Sequence, residues 1–312
     1  MTTTTTTKSE SRNIKTILVT GATSMVGREV VKQLSSTTKD VSIKATGRSI
    51  ENVNRVVNSD RVEPIQIDYY RPETLKEAVK DVDRVFIVTP FQSDMVELTS
   101  NLLKEIKNAG NIKHIVKLSV LRGDDAADSN IIADRLHRQA EKMIEDSGIS
   151  YTFLCPTFFM QSFGNFFPQK IKDQSTFYLP AGDGKVSFVD ARDIAAIAVE
   201  ALTNNNNNDG THYGKAYNIT GPEAISFGQA ARILSQQVGK KISYVSISED
   251  DARKGMKDIG WDEWRINFLI ELYNIIRLGY LSEVYSSPVE EITGRRAISF
   301  SQFAKDYAET FR

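Results

Sequence analysis

The sequence predicts an α/β chain: a doubly wound parallel sheet with a smaller, mostly helical C-terminal lobe. Three observations carry this reading. Short β-branched runs alternate with amphipathic helical stretches, as expected for a parallel sheet covered on both faces. Six such strands with intervening helices fit within residues 13–155. Beyond them the pattern becomes less regular and mostly helical.

In order, strands are expected at 14–20, 41–46, 62–67, 84–88, 114–119 and 151–155. Helices are expected at 26–34, 72–79, 95–109 and 131–146. Pro72 stands in a first turn, where a helix tolerates it, and Gly110 and Gly148 follow helices as C-terminal stops. In the second half, 158–167 is aromatic-rich, and 179–190 has hairpin chemistry around Gly182, Asp183 and Gly184. A helix at 191–202 runs into the asparagine tract 204–208, and strands are expected at 217–220 and 241–245. Helices at 227–238, 249–257, 261–277 and 300–311 complete the chain. The expected organisation is a threonine-rich disordered tail at 1–12 and a sheet domain at 13–155 that residues 186–220 rejoin. A smaller substrate or partner lobe is then built from 156–185 and 221–312.

Composition excludes little but points one way. The 312 residues are 40% hydrophobic and 25% charged with formal net charge −1, so no bulk field favours nucleic acid or an anionic membrane. No apolar stretch is long enough to span a bilayer, and the N-terminus lacks the apolar core of a secretory signal. The single cysteine, Cys155, ends an apolar run before Pro156 and reads as buried core in a reducing compartment. A cytoplasmic location is therefore expected. The three histidines form no metal constellation: His114 reads as a strand-edge residue and His212 as a loop residue.

The first strand runs directly into Gly21-Ala22-Thr23-Ser24-Met25-Val26-Gly27, followed by a helical pattern. Glycine at the strand end permits a tight turn, and the helix start aims free N–H groups at a pyrophosphate. Thr23, Ser24, Met25 and Val26 are the candidate phosphate contacts. Gly27 would let the helix pack closely on the first strand. Ser24 replaces the usual middle glycine; it can cap the helix or offer its hydroxyl, but it narrows the backbone approach. At the end of the second strand stands Arg48, with no carboxylate at the tip. A guanidinium there suits the 2′-phosphate of NADP(H), which is expected in preference to NAD(H). The fold is thus read as Rossmann-type.

These residues resemble the NmrA-like family, atypical relatives of the short-chain dehydrogenases, and especially its NAD(P)H:quinone oxidoreductase-like and redox-sensor branches. The likeness continues through Asp68-Tyr69, Val82-Asp83-Arg84-Val85-Phe86 and Thr89-Pro90-Phe91. It extends over His137-Arg138-Gln139-Ala140-Glu141, Cys155-Pro156-Thr157-Phe158-Phe159-Met160 and Phe188-Val189-Asp190-Ala191-Arg192-Asp193-Ile194-Ala195. Asn218-Ile219-Thr220-Gly221-Pro222, Thr293-Gly294-Arg295 and Phe303-Ala304 close it. The resemblance implies that Asp68 and Tyr69 border the adenine and that Thr89, Pro90 and Phe91 line the cofactor's central part. It further implies that Phe158, Phe159, Met160 and Gln161 close over the nicotinamide. Asp68 as a helix cap and the aromatics as packing are the alternatives.

The tyrosine and lysine of ordinary short-chain dehydrogenases are absent from 130–146: alignment through Glu141 puts Ala133 and His137 in their places. His137 is therefore a candidate ribose contact or proton relay, or a helix-face histidine bonded to its surroundings. A quinone, whose reduced anion is delocalised, can accept hydride by orientation alone. The leading expectation is an NADPH-dependent reductase of a quinone-like small molecule. The alternatives are a non-catalytic sensor of the NADPH/NADP⁺ ratio that regulates a protein partner, and a relative that has lost cofactor binding. Asp190 and Asp193 read as caps at a helix start, and Asp124, Asp125 and Asp128 as a solvated loop. Trp261, Trp264, Phe268, Leu269 and Tyr273 read as packing in the smaller lobe, with a quinone-sized pocket as the other reading.

Overall fold

The computed structural model describes residues 15–37, 40–56, 59–122, 131–203, 210–285 and 288–312. The threonine tail, the Asp124–Asp128 cluster and the asparagine tract lie outside the described residues. The sheet strands are β1 (Lys15–Val19), β2 (Val41–Gly47), β3 (Val62–Gln66), β4 (Arg84–Ile87), β5 (His114–Leu118), β6 (Ser150–Pro156) and, much later, β9 (Lys215–Ile219). They pair in the order β3-β2-β1-β4-β5-β6-β9, all parallel. This is the doubly wound plan, with its switch point between β1 and β4.

Helices cover both faces because parallel strands need crossovers. α1 (Met25–Thr37) and α8 (Ala191–Thr203) bury Val30, Leu34, Ile194 and Ala198 against Ile17, Val19 and Phe86. α3 (Pro72–Ala78), α4 (Met95–Ala109) and α5 (Ile132–Glu145) cover the other face, where Leu75, Leu102 and Ile144 meet Leu18, Val85 and Phe153. Gly110 takes φ +71° and accepts the α4 stop expected of it. A short α2 (Ile50–Val56) follows β2. Its seven residues are too few to carry a periodic signal.

The second lobe departs further from expectation. Residues 179–190 form no hairpin. β7 (Thr176–Leu179) pairs in parallel with β11 (Ser243–Ser246), and β8 (Lys185–Val186) pairs antiparallel with β10 (Ile225–Ser226). The glycines between them serve packing: a Cβ on Gly184 would stand 2.4 Å from the Ile276 carbonyl oxygen. The aromatic run folds as α6 (Gln161–Phe166) and α7 (Pro168–Gln174). Phe163 is fully buried there, among Phe177, Phe188, Phe227 and Phe300. Each such side chain contributes roughly 1.5–3 kcal/mol by burial.

α9 (Phe227–Val238) opens with a capping box between Ser226 and Gln229. α10 (Glu249–Asp258) and α11 (Glu263–Arg277) follow. α11 starts two residues later than expected because Asp262 caps it, accepting from the Arg265 amide at 2.9 Å. α12 (Pro288–Thr293) precedes α13 (Phe300–Asp306) and α14 (Ala308–Phe311), into which the expected last helix divides at Tyr307.

Gly184→Ala is expected to destabilise the protein by about 1–3 kcal/mol, because neither backbone can yield freely. Gly255→Ala, in α10 with open space around it, is expected to stabilise by about 0.5–1 kcal/mol. Urea denaturation of both variants checks the pair; similar behaviour would contradict the packing assigned to Gly184.

Candidate functional site

The glycine turn lies at the carboxyl edge of the sheet. Gly21 takes φ +61°, and the Gly27 Cα lies so close to it that a Cβ there would stand 2.1 Å from the Gly21 carbonyl oxygen. Ser24 acts as the cap: its Oγ accepts from the Gly27 amide at 3.0 Å. Its own amide donates to the Gly21 carbonyl at 2.8 Å. The amides of Met25 and Val26, in the first turn of α1, have no intrahelical acceptor. Thr23 is exposed beside them. A diphosphate fits this cradle, since donors converge where no Cβ intrudes.

Arg48 follows Gly47 at the end of β2. It is exposed, and its side chain makes no ion pair among the described residues. Its backbone is fixed by Gln66, whose Nε2 donates to the Arg48 carbonyl at 3.0 Å. The Asp68 carboxylate accepts from the Tyr70 amide at 2.9 Å and closes the turn into α3. Tyr69 is buried; its hydroxyl donates to the Val88 carbonyl at 3.1 Å, and burial pushes it up to about 12. Thr89 bonds Thr99 at 3.1 Å and Pro90 is exposed.

Phe91 faces the lobe, 4.6 Å from Phe268, 5.4 Å from Trp264 and 5.7 Å from the His137 ring, centroid to centroid. It borders a cavity of about 670 Å³, a size that suits a cofactor's reactive end or a small organic ligand. Met25 of the glycine turn lines the same cavity, as do Phe158, Phe159, Trp261 and Phe268. Met25 thus adjoins both the glycine turn and the cavity. Leu269 and Tyr273 also line it, while Trp264 packs behind Phe91. The aromatic spacing in 261–273 thus serves the cavity as well as the lobe core. Met160 and Gln161 do not line it. Met160 lies in the lobe core, and Gln161 is tied down, donating to Asp190 at 2.8 Å and accepting from the Ala191 amide at 2.9 Å.

Asp190 and Asp193 act as caps and ion-pair partners, with Arg192 and Arg295 respectively. His114 is no strand-edge residue: it is fully buried between neighbouring strands, 2.9 Å from the Thr152 hydroxyl, and burial lowers it to about 3. His212 sits in a turn against Tyr217. Cys155 is buried and pushed up to about 12, an inert thiol. Among the described residues no group of three or more His, Cys, Asp or Glu could hold a metal ion, and no helix is long and apolar enough to cross a membrane.

A polar cluster behind the cavity wall escaped the sequence reading. Lys117, on β5, is 1% exposed, and its Nζ donates to His137 Nδ1 at 2.9 Å and to the Leu118 carbonyl at 3.0 Å. Burial lowers it to about 8, and burial together with the Lys117 charge holds His137 well below the usual histidine range. Beside them the buried Glu141 accepts from Ser119, Arg122 and Arg138 at 2.5–2.6 Å. A signal was present: a lysine in the middle of an interior strand covered on both faces stands against a helix layer and not solvent.

A doubly wound parallel sheet with a glycine turn at its carboxyl edge, beside an apolar cavity, is the architecture of a Rossmann-type dinucleotide-binding protein. A model of the NmrA-like family matches residues 13–297. The NAD(P)H azoreductase of Xenophilus azovorans is 37% identical over 295 residues, 95% of this chain and 99% of that protein. The Escherichia coli NADPH-dependent quinone oxidoreductase, solved with NADPH, superposes with a TM-score of 0.78 at 25% identity, covering 93% of this chain and 99% of that one. The triphenylmethane reductase of Citrobacter sp., solved with NADP(H), does so with a TM-score of 0.78 at 25% identity, over 94% and 99%. The chain belongs to the NmrA-like family.

Lys117 has a consequence for stability. The folded protein holds the Lys117 proton less tightly than an unfolded chain would, so stability rises as pH climbs from about 8 to 10.5. Lys117→Met removes a buried charge while Ser119 Oγ, 3.3 Å away, still faces His137 Nδ1. The variant is expected to be more stable at neutral pH by up to about 3 kcal/mol, with the difference shrinking above pH 8. Urea denaturation across pH measures this; a less stable variant would contradict it.

Proposed function

We propose that this chain is an NADPH-dependent reductase of flat, conjugated, electron-poor small molecules, with quinones and azo compounds as the substrate class. The observation that carries the reading is the lining of the cavity. The cavity of about 670 Å³ is lined both by Met25 of the glycine turn and by Phe158, Trp261 and Phe268. A planar acceptor held there would stack between aromatic rings, next to where the cofactor's reactive end leaves the cradle.

The cofactor is NADP(H), and when bound it supplies the hydride. The chain's own residues do the rest. The Met25 and Val26 amides would hold the diphosphate, and the Arg48 guanidinium would meet the 2′-phosphate. Phe91, Phe158 and Phe159 exclude water and fix the acceptor's plane, so orientation supplies much of the rate. The azoreductase and quinone oxidoreductase relatives support this choice of acceptors. A cavity of this size and apolarity also favours a small-molecule substrate over the alternative of a cofactor sensor acting only through a protein partner.

Purified protein is expected to oxidise NADPH in the presence of a simple quinone or azo dye. Cofactor binding without oxidation above the protein-free rate would sink the reading. Arg48→Ala is expected to weaken NADPH binding by about 10- to 100-fold, the loss of a charge-assisted pair of about 1.5–3 kcal/mol. NADH affinity should stay within about threefold. Calorimetric titration measures both, and equal losses would refute the assignment of Arg48.

A further inference from the structure

A hydride-acceptor site in the cleft still needs a proton, and behind its wall the buried Lys117 meets the partly buried His137. Lys117 Nζ lies 2.9 Å from His137 Nδ1. An ammonium has no lone pair, so Nδ1 accepts and the ring proton resides on Nε2. Nε2 has no protein partner among the described residues. The ring stacks against Phe91, with an interplanar angle of 14°, and borders a small recess. Val120, Leu121 and Asp134 line both that recess and the main cavity. His137 thus lines the recess, which is divided from the acceptor's chamber by Val120, Leu121 and Asp134.

We propose that His137 and Lys117 form a proton relay that completes the reduction of acceptors whose hydride adduct is a strong base, which fits this site to azo compounds. The proposal rests on the reductase reading above. Addition of hydride to one nitrogen of Ar–N=N–Ar′ breaks the N=N π bond and leaves an electron pair on the other nitrogen. That pair takes a proton that leaves His137 Nε2 and crosses the shared recess on a water molecule, giving Ar–NH–NH–Ar′, while the cofactor is oxidised by two electrons to NADP⁺. A Lys117 proton passes to His137 Nδ1, leaving a neutral amine. The pair resets when water reprotonates Nε2 and Nδ1 returns its proton to Lys117. His137 is the donor; Lys117 acts through it as a positioning and supplying residue.

The surroundings suit these roles. Lys117 is faced by Glu141 and His137 from α5, Arg122 from the segment after β5, and Cys155 from β6. Glu141 is committed to Ser119, Arg122 and Arg138 and holds no bond to the pair. With Lys117 held near 8 by burial, the ammonium is present at neutral pH yet gives up its proton readily.

The test compares a neutral diaryl azo dye with a triarylmethyl cation, which accepts hydride at carbon and needs no proton. In Lys117→Met and in His137→Gln the ratio of azo to cation turnover is expected to fall on the order of 10²-fold. In the wild type that ratio should decline as pH rises through about 8, and Lys117→Met should lose this limb. A second readout is independent of turnover: ¹⁵N NMR of cofactor-free protein should find His137 neutral with its proton on Nε2. In Lys117→Met the ring should titrate closer to an ordinary histidine. A ratio unchanged within about threefold in both variants, or a proton on Nδ1 in the wild type, would overturn the relay. If the wild type reduces neither acceptor, the reductase reading falls and takes the relay with it. A relay failure alone leaves cation reduction intact, so the two failures are distinguishable.

Discussion

The contact between Gly27 and the Gly21 carbonyl governs the geometry of everything that follows. There is no space for a methyl group between them. The absence of that methyl lets α1 start directly against the end of β1, with its first amides turned toward the carboxyl edge of the sheet. Met25 is thereby placed in the lining of the cavity. A longer turn would separate the anion cradle from the apolar chamber, and the cleft would become two sites. Ser24 shows how the turn tolerates its missing middle glycine. Its side chain folds back to cap Gly27, satisfying a helix donor and drawing the hydroxyl toward the turn.

The second constraint is electrostatic. A parallel sheet covered on both faces is a costly place for charge, yet β5 buries Lys117 there and α5 brings Glu141 beside it. Glu141 is fully served by three donors, as a buried carboxylate must be. Lys117 is served less well, with one carbonyl and one imidazole. That imbalance lowers its hold on the proton, at a cost in stability that a merely structural hydrogen bond would not require. Function offers a reason to keep such a residue.

Much of the molecule was legible in the sequence. The six leading strands and the long helices announced themselves because burial on both faces and a 3.6-residue period are properties of local sequence. The glycine turn was legible for the same reason: Gly21 and Gly27 carry their conformational demands with them. What local pattern cannot convey is which partner a strand takes. The glycines at 182 and 184 gave a correct turn but a wrong hairpin, since β7 finds β11 more than 60 residues away. Likewise the spacing of Trp261, Phe268 and Leu269 identified a helical face without saying that the face looks onto a cavity. Residues of the 158–161 loop divide within four positions, Phe158 and Phe159 to the cavity, Met160 and Gln161 to the interior. That division is set by the bridge of Phe159 to Val189, a contact between distant segments.

A direct hydride transfer requires one cleft to hold cofactor and acceptor together. The chain's two tryptophans, Trp261 and Trp264, both stand at the cavity end of that cleft, so their fluorescence reports on it directly. NADPH absorbs where tryptophan emits, and its binding is expected to quench that emission and sensitise its own. Adding a non-reducible planar aromatic is then expected to quench the tryptophans further while the sensitised NADPH remains bound, the signature of a ternary complex. Release of NADPH by the aromatic, or tryptophans indifferent to both ligands, would contradict the single cleft.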